Sequence, residues 1–183
     1  MNLSFIGPRG VGKSKISRKL SKMTGIPVVS TDMIAVYETG GLSIPEFIQK
    51  NKGNWRAFRE LEFRILEKIQ NSTNLLVDCG GGILFDLDES GNEIPSDRKI
   101  SILKRMGKVI RLDADLQYLA SKVKQDSNRP SLSSTESYID ILRRRTVHYT
   151  KAADISISIE GKDPESVARN IMEFFPDLRR RQL

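Results

Sequence analysis

Residues 7–14 read GPRGVGKS, and no other stretch limits the fold of this chain so tightly. The run fits G-x-x-x-x-G-K-[ST], a loop that cradles phosphate. Gly7 and Gly12 let the backbone adopt unusual dihedrals and approach an anion closely. Peptide N–H groups then face phosphate oxygens, and the positive end of the next helix reinforces them. Lys13 supplies a point charge for the β- and γ-phosphates, and Ser14 a hydroxyl for Mg2+. Gly10, Val11 and Lys15 complete the candidate nucleotide-binding residues of the loop. The flanks agree with the motif. Asn2–Ile6 reads as a buried strand, and residues 13–23 as a helix with Ile16 and Leu20 on one face.

The 183 residues suffice for one domain, which at this size buries about 70% of its unfolded surface. Charged residues make up 29% and apolar residues 38%, the balance of a soluble protein. No apolar run approaches the ~20 residues of a membrane span. The loop begins too early to leave room for a signal peptide, so a cytoplasmic location is expected. One cysteine, Cys79, and one histidine, His148, exclude an internal disulfide and a zinc site; Cys79 reads as structural. The net charge of +7 suggests anionic partners. Its basic runs, 143–145 and 179–181, lack interleaved aromatics and read as solvated charge, with one or two members recruited to a site.

Further along the chain, residues 28–29, 75–79, 108–112 and 155–159 read as strands. Helices are expected at 33–38, 43–50, 55–70, 97–106, 114–124, 136–149 and 163–175. Trp55, Phe58, Leu61, Ile65 and Ile69 recur at helical spacing and read as core rather than as a binding surface. Arg59 and Glu62 lie three apart on that helix and can pair. Gly80, Gly81 and Gly82 follow the third strand, where the backbone must bend sharply or meet a ligand closely. Residues 86–96 are acidic and turn-rich, a surface excursion compatible with a small hairpin. Residues 125–135 are polar and suit a mobile lid. The last residues, DLRRRQL, are expected to fray. Strands separated by helices imply a single α/β domain over residues 1–183: a parallel five-stranded sheet between two helical layers.

The loop alone says only that ATP or GTP binds. Asp32, Arg59, the glycine run and Arg145 are the features that can build a second site. Two arginines and an aspartate suit a small hydroxylated carboxylic acid. Arginine grips a carboxylate through two parallel hydrogen bonds. Aspartate orients a hydroxyl and accepts its proton.

At this point the chain resembles the shikimate kinases, phosphate-loop kinases of the nucleoside monophosphate kinase superfamily. The resemblance rests on GPRGVGKS, STDMIAVYETG, FRELE (58–62), the glycine run, NRPSL (128–132) and RTVHY (145–149), in that order. It implies sheet order 2-3-1-4-5 and ATP-dependent phosphorylation of shikimate to shikimate 3-phosphate, with Mg2+. It implies a substrate-binding region over 30–70, with Asp32 on the shikimate hydroxyls as base. Arg59 and Arg145 take the carboxylate, Glu62 holds them, and Gly80–Gly82 touch substrate. Arg129 closes over the phosphates from the lid, which makes Lys13, Asp32 and Arg129 the catalytic set. Lys122 and Lys162 lie near adenine. The partner is then a small molecule rather than nucleic acid or membrane, and the protein is expected to act as a monomer.

The chain departs from the family pattern in three places. Where two aspartates usually lie two apart, it has Ser30 and Asp32, leaving Ser14 and an uncharged Ser30 on the metal side. A slipped register would instead put Asp32 on the metal side and Ile34 on the substrate side. Ser131 replaces an apolar lid residue, and 86–96 reads as an insertion. A kinase for gluconate or a nucleotide, and a non-catalytic ATP-binding regulator, remain as alternative readings.

Overall fold

The computed structural model describes residues 1–124 and 137–181. The expected lid, with Arg129, lies outside them, as does the side chain of Lys122. Five strands form one parallel sheet: β1 (Asn2–Ile6), β2 (Val28–Ser30), β3 (Leu76–Asp78), β6 (Gly107–Asp113) and β7 (Ile155–Ser158). Their order is β2-β3-β1-β6-β7. Among the parallel strands this is the expected 2-3-1-4-5. Strands β4 (Phe85–Leu87) and β5 (Glu93–Pro95) make a separate antiparallel hairpin, which takes up two numbers.

The central strands read as apolar runs because helices cover both faces of the sheet. All five residues of β1 are buried. On one side α1 (Lys13–Thr24), α6 (Leu116–Lys124) and α8 (Pro164–Phe174) contribute Ile16, Leu20, Leu119, Val167 and Ile171 to one core. A second core gathers Leu66 from α4 (Trp55–Ile69), Ile102 from α5 (Asp97–Met106) and Tyr149 from α7 (Tyr138–Ala152). A smaller cluster joins α2 (Thr31–Glu38), α3 (Ile44–Lys50) and α4 through Ala35, Ile48, Phe58 and Ile65.

Local chemistry sets the element ends. Helix α1 begins directly on Gly12, at φ 93°, with no side-chain cap, so its first N–H groups face the loop. Helix α2 starts at Thr31, two residues earlier than the sequence pattern implied. The Ser30 hydroxyl caps it, accepting from the Met33 N–H at 3.5 Å. Helix α3 opens with a capping box between Ser43 and Glu46.

Of the stretch expected to fray, residues 177–181 are ordered, and 182–183 lie outside the described residues. Residues Pro176–Arg181 form a 3-10 turn, and Leu178, 3% exposed, enters the core beside α8. Polar composition hid one apolar anchor. Leu178→Ala should therefore cost about 2–5 kcal/mol in chemical denaturation. An unchanged midpoint would mean that the tail does not dock.

Candidate functional site

The loop after β1, Ser30 at the end of β2 and Asp78 at the end of β3 all lie at the carboxyl edge of the sheet, where open α/β sheets bind ligands. A continuous cavity of about 760 Å3 opens there. One side is lined by Gly10, Val11, Gly12, Lys13, Ser14, Lys15, Tyr118 and Lys162. The other is lined by Ser30, Asp32, Trp55, Phe58, Arg59, Glu62, Gly81, Gly82 and Arg145. A single space thus joins the expected nucleotide residues to the expected acceptor residues.

In the loop, Gly7 has φ 137°, and a Cβ there would lie 2.5 Å from the Leu112 carbonyl oxygen. Both conformation and space demand glycine. Gly10 and Gly12 also have positive φ, which turns successive N–H groups toward one concavity. Lys13 is buried, its ammonium donating to the carbonyls of Gly7 at 2.8 Å and Pro8 at 2.9 Å. Lys162, which also lines the cavity, donates to the Ser158 carbonyl at 3.3 Å.

The acceptor side is built from buried charge. Arg59 is 4% exposed and Glu62 2%. Their 2.9 Å pair is a buried interaction and not a surface salt bridge. Glu62 is shared with Lys99 of α5, which is fully buried and pairs with it at 3.2 Å. Lys99 also reaches Asp86 at 3.0 Å and donates to the Phe85 carbonyl at 2.7 Å. Arg145, from α7, lies on the same wall at 4% exposure and donates to the Gly81 carbonyl.

No local pattern marks the residue that joins the two arginines. Glu93, on β5, accepts from Arg59 Nη2 at 3.2 Å and from Arg145 Nε at 2.8 Å. Its other contacts are Arg145 Nη2 at 2.5 Å and Arg144 at 3.0 Å. The surface excursion expected at 86–96 is therefore only partly that. Its tip is exposed, but its second strand carries a carboxylate into the site. Arg56 holds the hairpin by donating to the Leu87 and Asp88 carbonyls. Burial alone would raise the Glu93 pKa, but the hydrogen bonds and charge of Arg145, then Arg59 and Arg144, hold it below the usual carboxylate range. Burial works against the charge of Arg145, while Tyr149 and Glu93 keep it more firmly protonated than an ordinary arginine.

The glycine run makes room for these side chains. A Cβ on Gly80 would lie 2.3 Å from Asp32 Oδ1, and one on Gly82 would lie 2.2 Å from Arg59 Nη1. The Gly80 N–H donates to the Thr31 hydroxyl at 2.8 Å, which fixes the start of α2 against the end of β3. Gly80 is buried and does not line the cavity, whereas Gly81 and Gly82 do.

Asp32 lines the cavity between charges of both signs. Burial is the main cause of its raised pKa; Glu62 and Asp78 push the same way, while Lys13 and Arg9 oppose them. Ile34 packs instead against the cluster of Ala35 and Phe58 and does not line the cavity, so the slipped register finds no support. Trp55 and Phe58, read from spacing as core alone, also line the cavity. The Trp55 ring lies 5.4 Å from the Arg59 guanidinium carbon. Cys79 is buried, and burial first, then Asp78, pushes its thiol well above the usual value, as a structural cysteine requires.

A glycine loop with its lysine and serine, continuous with an arginine-lined acceptor site, defines a phosphate-loop kinase for a small molecule. The profile of the shikimate kinase family matches residues 9–176. The chain is 54% identical to a shikimate kinase of Leptospira borgpetersenii over 171 residues, 93% of this chain and 96% of that one. A solved shikimate kinase of Aquifex aeolicus superposes with TM-score 0.75 at 29% identity, covering 94% of this chain and 95% of that one. The shikimate kinase of Acinetobacter baumannii, solved in complex with shikimate, gives TM-score 0.81 at 23% identity and covers 96% and 93%. At that identity it speaks for the fold alone. The chain belongs to the shikimate kinase family, whose members are ATP- and Mg2+-dependent phosphotransferases acting on a hydroxyl of shikimate.

Glu93 makes stability pH-dependent. Its folded pKa is lowered, so its contribution is complete above the unfolded value of about 4.3 and is lost as pH falls through the folded value. Glu93→Gln should cost about 3–5 kcal/mol at neutral pH, because it leaves buried guanidinium charge uncompensated. It should also flatten the acid side of the stability curve in urea titrations. An unaltered curve would mean that Glu93 is not coupled to the arginines.

Proposed function

We propose that this chain transfers the γ-phosphoryl group of ATP to a hydroxyl of shikimate, giving shikimate 3-phosphate. Residues 1–183 act as one kinase domain and as a monomer in the cytoplasm, where the reaction draws on ATP and Mg2+. The observation that carries the reading is the burial of Arg59 and Arg145 on one wall of the cavity that also holds the phosphate loop. A buried arginine pair on a cavity wall suits a small carboxylate, and family membership names shikimate as the acid.

Each side chain has a part that its position supports. The region 30–70 supplies most of the acceptor wall, with Asp32, Trp55, Phe58, Arg59 and Glu62. Arg59 and Arg145 grip the substrate carboxylate and so orient the ring. Glu62 and Glu93 hold the two guanidiniums in place. Glu93 does not line the cavity, so the hairpin holds the arginines from a side the substrate does not use. Gly81 and Gly82 line the cavity and offer their backbone to the ring, while the space a Gly82 side chain would take is filled by Arg59.

The hydroxyl oxygen attacks the γ-phosphorus and forms the new O–P bond. The bond between the γ-phosphorus and the β–γ bridging oxygen breaks, ADP leaves, and the hydroxyl proton passes to Asp32. Lys13 and the loop N–H groups bind the phosphates. Mg2+ bound with the nucleotide would offset the negative charge that develops on the phosphates. The Ser14 hydroxyl lines this part of the cavity and fits so hard a cation, while the Ser30 hydroxyl, on the same cavity, is spent on capping α2. Gly10, Val11, Gly12 and Lys15 belong to the nucleotide side together with Lys162.

Arg59→Ala and Arg145→Ala should each raise the KM for shikimate by roughly 10- to 100-fold, the worth of one or two charge-assisted hydrogen bonds, with the KM for ATP little changed. Normal shikimate kinetics in both would defeat the assignment. Gluconate and quinate assayed in parallel separate it from a related small-molecule kinase.

Asp32→Asn should lower kcat by about 10²- to 10⁴-fold while leaving ATP binding intact. In the unmodified protein the acid limb of kcat/KM should fall above the ordinary aspartate value of about 3.9, because the Asp32 pKa is raised and its base form is lost earlier on acidification. An acid limb below that value would place the titrating group elsewhere.

A further inference from the structure

A Mg2+ site bound to nucleotide phosphates ordinarily includes one or two protein carboxylates. Ser30, at the position where the family pattern carries an aspartate, supplies none, and its hydroxyl is engaged in capping α2. Among the described residues, three carboxylates line the cavity: Asp32, Glu62 and Asp78. Asp32 is assigned to the substrate hydroxyl. Glu62 is bound to Arg59 and Lys99 at 2.9 and 3.2 Å. Asp78 remains.

Asp78 is 5% exposed, yet no hydrogen bond or ion pair from the described residues satisfies its carboxylate. Its two oxygens are not sealed from solvent and so open onto the cavity as available ligand donors. Its place in the sheet says what they can bind. Asp78 is the register partner of Ser30 on one side and of Phe5, on β1, on the other. Ser30 and Asp78 therefore share one face and one edge of the sheet. Strand β3 lies between β2 and β1, so Asp78 is one strand closer than Ser30 to the loop that carries Lys13 and Ser14.

We propose that Asp78 supplies the protein carboxylate of the Mg2+ site, in place of the aspartate that Ser30 replaces. The negative charge has moved one strand along the sheet edge and stays in the same cavity. A carboxylate at the end of a strand next to the phosphate-loop strand is a known way for phosphate-loop proteins to hold Mg2+. Ser30 keeps its role as a helix cap. This inference rests on the kinase reading above.

The experiment uses the full chain, ADP, and Mn2+ as a paramagnetic probe of the Mg2+ site. Mn2+ is titrated into the protein–ADP complex and followed by electron paramagnetic resonance. ADP affinity in EDTA and the thermal midpoint of the ligand-free protein are measured alongside. Asp78→Asn should weaken Mn2+ binding on the order of tenfold or more. It should leave metal-free ADP binding unchanged and the thermal midpoint no lower, because the Asp78 carboxylate makes no hydrogen bond or ion pair with the described residues. Ser30→Ala should change Mn2+ affinity less than about twofold, since it removes no charge from the metal site. Ser30→Asp combined with Asp78→Ser should recover most of the lost affinity.

Unchanged Mn2+ affinity in Asp78→Asn would overturn the proposal. So would a larger loss in Ser30→Ala, a lowered midpoint in Asp78→Asn, or failure of both Asp78→Asn and Asp78→Ser to fold, since each makes the carboxylate structural or irrelevant. Shikimate turnover in the unmodified chain together with unaltered metal affinity in the variants would defeat this inference and leave the kinase reading standing. A chain that binds no ADP would defeat both.

Discussion

Two guanidinium groups held close together and out of water need counter-charge, and the architecture of the acceptor site follows from meeting that need. Arg59 and Arg145 are both almost fully buried. Unpaired, each would forfeit several kcal/mol of hydration. Glu62 answers the first from one turn along α4, and Glu93 answers both from the hairpin. Lys99 then compensates the Glu62 side, and Asp86 compensates Lys99. The network runs through α4, the hairpin, α5 and α7, so the walls of the cavity are tied to one another by charge as well as by packing.

The glycine run shows how tightly these groups are placed. Gly80 and Gly82 do not have positive φ, and their value lies in the missing Cβ. Asp32 occupies the space beside one and Arg59 the space beside the other. At Gly7, by contrast, both backbone conformation and the approach of Leu112 decide the residue. Glycine thus serves two physical ends within one site.

The parts of the structure legible in the sequence were those whose chemistry is local. The phosphate loop declares itself through contiguous residues, and the strands through apolar runs. The pair Arg59 and Glu62 is visible because helix geometry fixes a three-residue spacing. Glu93 was not visible: it meets its arginines across 34 and 52 positions, from a segment whose composition reads as solvated turn. Lys99 was hidden for the opposite reason, as a charged residue on an amphipathic helix that the packing nonetheless buries completely. Asp78 lay inside the apolar run LLVDC, where strand pattern drew attention away from its charge. In each case the deciding partner is supplied by tertiary packing, which no local pattern encodes.

The hairpin divides into two parts that should drift at different rates. Its tip, 89–92, is exposed and closes on itself through Asp88 and Asn92. Its base is welded to the site through Asp86 and Glu93. Changes at the tip cost the chain little, whereas a shift of one residue in the pairing of Leu87 with Glu93 would turn the carboxylate to the opposite face. Insertions and deletions in this segment are therefore constrained in a way its composition does not suggest: the tip can lengthen or shorten only where the pairing of the two strands stays in step.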